Sequence, residues 1–139
     1  MPQDKVVFFA YTPDLSVEER EEVLDQYAMP RYPLEQVQAR PEAVAMEVRA
    51  RLESMAQQFI IHFDVDVIDF MDLPLADVAQ HNAGLTFHEA LTCLKIFVAS
   101  LRFGGLVITE CNPDHADEEG LVLGQFVQGL AGVLALRNG

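Results

Sequence analysis

The sequence predicts an α/β fold, a three-layer α/β/α sandwich on a mainly parallel sheet, in a single domain over residues 1–139. Two observations carry this. Three short runs rich in β-branched and aromatic residues, KVVFFAY (5–11), FIIHF (59–63) and GGLVITE (104–110), are separated by stretches with helical spacing of apolar side chains. Strands that alternate with helices pair in parallel, because each helix carries the chain back across the sheet. Two of the three runs also end in acids: Asp64 and Asp66 follow one, and Glu110 closes the other. Ligands of open parallel sheets gather beyond the carboxyl ends of the strands, so three carboxylates are expected on one rim.

Taken in order, KVVFFAY reads as a buried strand ended by Thr12 and Pro13. Ser16 and Glu19 form a capping box that opens an acidic helix through about Tyr27. The prolines of MPRYPLEQV (29–37) bracket a connection with room for a brief second strand near Arg31–Leu34. Pro41 suits the first turn of the next helix, where its missing N–H is not needed, and Val44, Val48, Leu52 and Met55 give that helix one buried stripe. After FIIHF, a second capping box, Thr86 with Glu89, opens a helix running through Leu91, Leu94, Phe97, Val98 and Leu101. The last helix is expected to start near Glu118 or Glu119, whose charge suits a helix N-terminus, and to run through Leu136.

Composition narrows the function. Half of the residues are hydrophobic and 22% are charged, an ordinary globular balance. A formal net charge of -13 argues against nucleic acid or an anionic membrane surface as partner and suits a cationic substrate or divalent metal ions. Cys93 and Cys111 have no CxxC or zinc-like spacing and read as reduced thiols. Met1 is followed by no basic-then-apolar leader, and no apolar run reaches the roughly 18–20 residues that span a bilayer, so a cytoplasmic protein is expected.

The stretch FIIHFDVDVIDF (59–70) concentrates the chemistry. Carboxylates taken out of water without a partner are costly, so Asp64, Asp66 and Asp69 at the end of an apolar run call for a counter-charge, and a cation is the natural one. The bland alternative is a loop whose aspartates face solvent. Glu110 at a neighbouring strand end raises the first reading above the second. His62 alternates onto the side of Asp64 and reads as a packed or hydrogen-bonded core histidine, whereas His81, His88 and His115 lack ligand spacing and read as surface residues.

HFDVDVID (62–69), AGLTFHEAL (83–91) and ITECNPDHADEEG (108–120) together resemble the C-terminal half of the ureohydrolases, the arginase, agmatinase and formimidoylglutamase family. That family carries S-F-D-x-D-x-x-D-P, then G-G-L-T-x-x-E, then a strand ending in Glu with Asn-Pro close behind. The resemblance implies an arginase-like fold and a site for two Mn2+ ions, with Asp64 bridging them and Asp66 a ligand of one. A paired site about 3.5 Å across turns bridging water into hydroxide near neutral pH, which in the family attacks a guanidinium or formimino carbon. Glu110 resembles the residue that holds the substrate's cationic guanidino or amidino head. Asp69 matches the motif's last acid and reads as structural, capping the turn that presents the metal ligands; Thr86 and Glu89 match the G-L-T motif and are explained as a helix cap.

The chain departs from the family pattern in three places. Phe70 stands where the motif has proline, Ala83 replaces a glycine, and MDLPLADVAQHN (71–82) replaces a short Pro-Gly-Thr segment. The family's two N-terminal metal motifs, Gly-Gly-Asp-His and Asp-Ala-His-x-Asp, do not occur. The chain therefore reads as half of such an enzyme, with little activity by itself and with a homo-oligomer or a missing N-terminal half as its partner. A non-catalytic ureohydrolase-like module is the competing reading. A phosphoacceptor receiver domain also uses acids at strand ends, but it needs a lysine at the end of a late strand, and Lys95 falls mid-helix.

Overall fold

The computed structural model describes residues 3–12, 25–26 and 28–138. The helix expected over 16–27 lies outside the described residues but for Asp25 and Gln26. The remaining elements follow the alternation read from the sequence: β1 (Phe8–Tyr11), β2 (Arg31–Pro33), α1 (Leu34–Ala39), α2 (Pro41–Met55), β3 (Phe59–Asp64), α3 (Phe87–Val98), β4 (Phe103–Thr109) and α4 (Leu121–Ala135). No helix among the described residues is long and apolar enough to cross a membrane.

All strand pairing is parallel, as an α/β chain requires, but the sheet is divided. β1 pairs with β2, with Phe8 opposite Arg31 and Phe9 opposite Tyr32. β3 pairs with β4 from Phe59–Phe103 to Asp64–Thr109. Among the described residues these are two separate two-stranded ribbons rather than one sheet. They nevertheless share one core, which joins Ala10 and Tyr32 of the first ribbon to Phe59 and Phe63 of the second through Val44, Val48, Leu94 and Phe97.

Helices α2 and α3 form the layer under that core. Val44 and Val48 are buried and Leu52 and Met55 half-buried, the expected stripe of α2. Pro41 starts the helix, and the Arg102 guanidinium ends it by donating to the carbonyl oxygens of Glu53 and Ala56. Buried Ser100 donates to the Glu53 carboxylate at 2.6 Å, which Arg49 also contacts at 2.9 Å. These bonds hold the Glu53 carboxyl below its usual range, the serine hydrogen bond contributing most.

The box at the start of α3 is complete: Thr86 Oγ1 accepts from the Glu89 N–H at 3.1 Å, and the Glu89 carboxylate accepts from the Thr86 N–H at 3.0 Å. The helix buries Phe87, Ala90, Cys93, Leu94, Phe97 and Val98. Burial pushes the Cys93 thiol up to about 12, which makes it inert. The helix stops at Val98, before Leu101, which is 96% exposed in the following turn. At α4 the expected acidic start is displaced. Neither Glu118 nor Glu119 opens it; Asp117 reaches over the left-handed Gly120 and accepts from the Leu121 and Val122 N–H groups at 3.0 and 2.8 Å. Those bonds lower the Asp117 pKa.

The segment 65–85 joins β3 to α3 and contributes several side chains to the core. Ile68, Leu73, Leu75 and Leu85 are almost wholly buried. Leu85 N–H donates to Val67 O and Asp69 N–H to Leu85 O, both at 2.8 Å, laying the chain at 84–85 along the turn after β3. A Cβ on Gly84 would lie 2.5 Å from Val67 O and 2.6 Å from Asp69 N, so only glycine allows the approach. Gly84→Ala is therefore expected to destabilise the fold by about 1–3 kcal/mol, since the obstruction is backbone. Gly124→Ala, in open space on α4, should stabilise by about 0.5–1 kcal/mol. Urea unfolding of both variants checks the contrast; equal effects would refute the close-packing account.

Candidate functional site

The acids meet at the carboxyl ends of β3 and β4. Asp64 is the last residue of β3, in register with Thr109 of β4, and Asp66 lies in the 3-10 turn Val65–Val67 that follows. Val65 and Ile68, both fully buried, anchor the turn on either side. Asn82 closes it from outside: its Nδ2 donates to Asp66 O at 2.6 Å and to Ile68 O at 3.0 Å. The aspartates are thus presented by backbone held at four points, not by a loose loop.

Their electrostatics are strained. The Asp66 pKa is raised to about 6, first by desolvation, then by the Asp64 charge and a hydrogen bond between the two carboxyls, and last by Glu110. Asp66 keeps an exposed face, yet its carboxyl loses enough water to dominate the shift. Asp64 Oδ1 is buried without a hydrogen-bond partner. A buried anionic oxygen with no donor is expensive, and a cation is the partner that relieves it.

Glu110 completes the rim under backbone constraint. It has a left-handed backbone, φ 57°, directly after β4. Its carbonyl accepts from Asp77 N–H at 2.8 Å, Asn112 N–H donates to Leu75 O at 2.8 Å, and Ala76 bridges Cys111 in antiparallel fashion. Residues 75–77 therefore hold the chain at Glu110 and the two residues that follow it. His115 Nδ1 reaches Ala76 O at 2.8 Å, and Phe70 stacks on His81 with ring centroids 4.5 Å apart.

Asp69 stays apart from the other acids: its Oδ1 accepts from Met71 N–H at 2.9 Å, within the turn that follows its own position. His62 is hydrogen-bonded, with Nε2 2.7 Å from Thr109 Oγ1, but it is exposed on an uncovered sheet face, not in the core. His81, His88 and His115 are exposed. Asn82 and the close approach at Gly84 were not legible in the sequence, since their partners lie 14–17 residues away. A depression of about 510 Å3 lined by Asp4, Pro30, Arg51 and Met55 opens at the starts of the strands and contains none of the rim acids.

Asp64 and Asp66 suit a hard divalent ion in donor type. They do not fill its shell, which takes about six oxygen or nitrogen donors. No group of three or more His, Cys, Asp or Glu side chains arranged to hold a metal occurs among the described residues. The two aspartates alone do not fit a complete binuclear centre.

The sequence profile of the arginase family matches residues 4–127. No match was found among curated proteins. Among solved structures, the native arginase of Bacillus caldovelox superposes with a TM-score of 0.78 at 19% identity, covering 96% of this chain and 43% of that one. The Entamoeba histolytica arginase in complex with L-ornithine gives 0.76 at 18% identity, with 96% and 43% covered. A Trypanosoma cruzi formiminoglutamase variant with Mn2+ gives 0.69 at 19%, with 94% and 45% covered. The chain thus spans less than half the length of these structures.

Two predictions follow from the rim. A carboxyl whose folded pKa lies above its unfolded value favours folding below about pH 4, and that contribution is lost as pH climbs through about 6. Asp66→Asn should therefore raise the melting temperature at pH 7.5 and change it little at pH 3.5, below the unfolded value; an equal shift at both would exclude the charge as cause. Glu110→Gly should be more stable than Glu110→Ala by about 1 kcal/mol, because alanine keeps the left-handed strain and glycine does not. Paired urea melts measure the difference, and indistinguishable variants would remove strain from the account.

Proposed function

Because the chain belongs to the arginase family, we propose that it is the carboxyl-terminal part of a metal-dependent hydrolase that cleaves a carbon–nitrogen bond of a guanidino or amidino compound. The observation that carries this is the convergence of Asp64, Asp66 and Glu110 on one rim, with a buried Asp64 oxygen lacking any donor.

The roles divide by position. Asp64, at the strand end with its oxygen turned inward, and Asp66, one turn step further, contribute anionic donors toward divalent manganese, the ion held by the Trypanosoma cruzi relative. Glu110, at the neighbouring strand end, receives the positive head of the substrate through charge-assisted hydrogen bonds of about 1.5–3 kcal/mol. The L-ornithine bound by the Entamoeba histolytica arginase also has a positively charged side-chain head, an ammonium rather than a guanidinium. Thr86, Glu89 and Asp69 shape the support: the first two start α3, and the last ties the following turn. With only two aspartates supplied here, the remaining donors come from the rest of the fold, and the isolated chain is expected to turn over little or no substrate. The short donor set also favours one competing reading, a non-catalytic arginase-like module.

Calorimetric titration with MnCl2, on this chain and on its complemented or full-length form, separates the two. Tight uptake of two ions by the complemented form supports the hydrolase, and no uptake above background supports the module. In an active form, Asp64→Ala should lower the rate more than tenfold, a loss above about 1.4 kcal/mol of transition-state stabilisation. A variant keeping over a tenth of the wild-type rate would contradict a ligand role for Asp64.

A further inference from the structure

The bonds around Glu110 form a closed frame, and His115 is the residue that closes it. Asp77 N–H donates to Glu110 O and Asn112 N–H to Leu75 O, both at 2.8 Å, so residues 75–77 lie along 110–112. The Asn112 side chain adds a second tie. Its Oδ1 accepts from Asp114 N–H at 3.1 Å, which turns Nδ2 toward Asp77 Oδ1, 3.1 Å away, and His115 Nε2, 3.4 Å away. The 3-10 turn Pro113–His115 then brings the imidazole back to the loop, with His115 N–H donating to Asn112 O at 3.1 Å. A carbonyl can only accept, so Nδ1, 2.8 Å from Ala76 O, carries the ring proton. Nε2 is thereby left as the acceptor that faces the Asn112 amide. One ring bonds both sides of the frame, and Phe70 packs against it edge-on.

Inside this frame Glu110 holds its left-handed backbone, φ 57°. A residue with a Cβ leaves that conformation when its surroundings stop imposing it, and a relaxed backbone re-aims the side chain. We propose that His115 is a positioning residue for Glu110: its Nδ1–H bond to Ala76 O locks residues 75–77 onto 110–112 and keeps the Glu110 carboxylate aimed at the substrate's cationic head. The proposal rests on the substrate role given to Glu110 above. His115 acts through Glu110 and exchanges no proton in the reaction. The imidazole is exposed, so its loss leaves the buried core intact and the effect stays within the frame. Asparagine places its amide nitrogen where imidazole has Nδ1, so His115→Asn keeps the bond that alanine removes. Glutamine carries its donor at the distance of Nε2 and misses the Ala76 carbonyl.

Hydrogen exchange on the 139-residue chain reads the lock without metal or substrate. His115→Ala should speed exchange of the Asp77 and Asn112 amides at least about tenfold, because their bonds then open locally. The Asp69 and Leu85 amides, which hold the turn after β3, should keep their rates. His115→Asn should restore the slow rates, and His115→Gln should not. In the active form, complemented or full-length, the probes are L-arginine, 4-guanidinobutylamine and 4-guanidinobutyrate. On whichever of these is hydrolysed, His115→Ala should raise KM about tenfold, the effect of weakening one charge-assisted hydrogen bond, and leave kcat within about twofold. His115→Asn should return KM to the wild-type value. Unchanged Asp77 and Asn112 amides would overturn the proposal, as would equal acceleration at Asp69 and Leu85, an unmoved KM, or an asparagine variant no better than alanine. Glu110→Gln separates the two readings. If it leaves KM unchanged while the exchange results hold, the substrate role of Glu110 fails and the lock stands. If it raises KM while His115→Ala alters neither exchange nor KM, the lock alone fails.

Discussion

The contact on which this architecture turns is backbone against backbone: residues 84–85 laid along the turn that leaves β3. Two hydrogen bonds of 2.8 Å, Leu85 N–H to Val67 O and Asp69 N–H to Leu85 O, sit where a Cβ on Gly84 would collide. The contact holds the turn carrying Asp66 and places Thr86 to cap α3 one residue later. Phe87, the first residue of that helix, is buried, and its N–H donates to Asp72 at 2.7 Å. One glycine thus couples the acid turn to the helix beneath both ribbons.

The acids oppose that order. Desolvation, with the neighbouring Asp64 charge second, lifts the Asp66 pKa to about 6, and Asp64 keeps an oxygen out of water without a donor. Grouped like charges destabilise a fold at neutral pH unless something positive arrives. The rigid frame of buried Val65 and Ile68, together with the Asn82 amide, holds the carboxyls together despite the repulsion. Backbone order that keeps anions together in this way is what supports the metal-ligand role proposed for Asp64 and Asp66.

Much of this was legible in the sequence because it is local. Apolar periodicity marked β3, β4, α2 and α3, and the S/T-x-x-E pattern at Thr86 marked a true cap. Asp64, Asp66 and Glu110 could be placed on one rim because a strand's last residue emerges there whatever its neighbours are. Pairing is not local, so the division into two ribbons left no trace in the pattern. The exposure of His62 follows from the uncovered sheet face and was equally hidden. At α4 the approximate start was legible but not the acid that serves it: Asp117 caps from four residues upstream across a left-handed glycine, and neither Glu118 nor Glu119 takes that part.

The departures from the family pattern have a structural meaning of their own. MDLPLADVAQHN is not slack: Leu73, Leu75 and Ala76 in it are buried, and it pairs with Glu110 and with Cys111 and Asn112 just after it. The left-handed backbone of Glu110 costs roughly 1–2 kcal/mol, and such a conformation persists only where its surroundings over-determine it. The bonds at Leu75 and Asp77, the Ala76–Cys111 bridge and the His115 contact supply that over-determination. Phe70, in place of proline, adds a ring that stacks on His81 and meets His115 edge-on, joining the start of the loop to its end and to the turn after Glu110. The substituted segment and the substituted proline therefore act together: the chain gives up a short, proline-stiffened turn and in exchange holds its third acid by a packed loop.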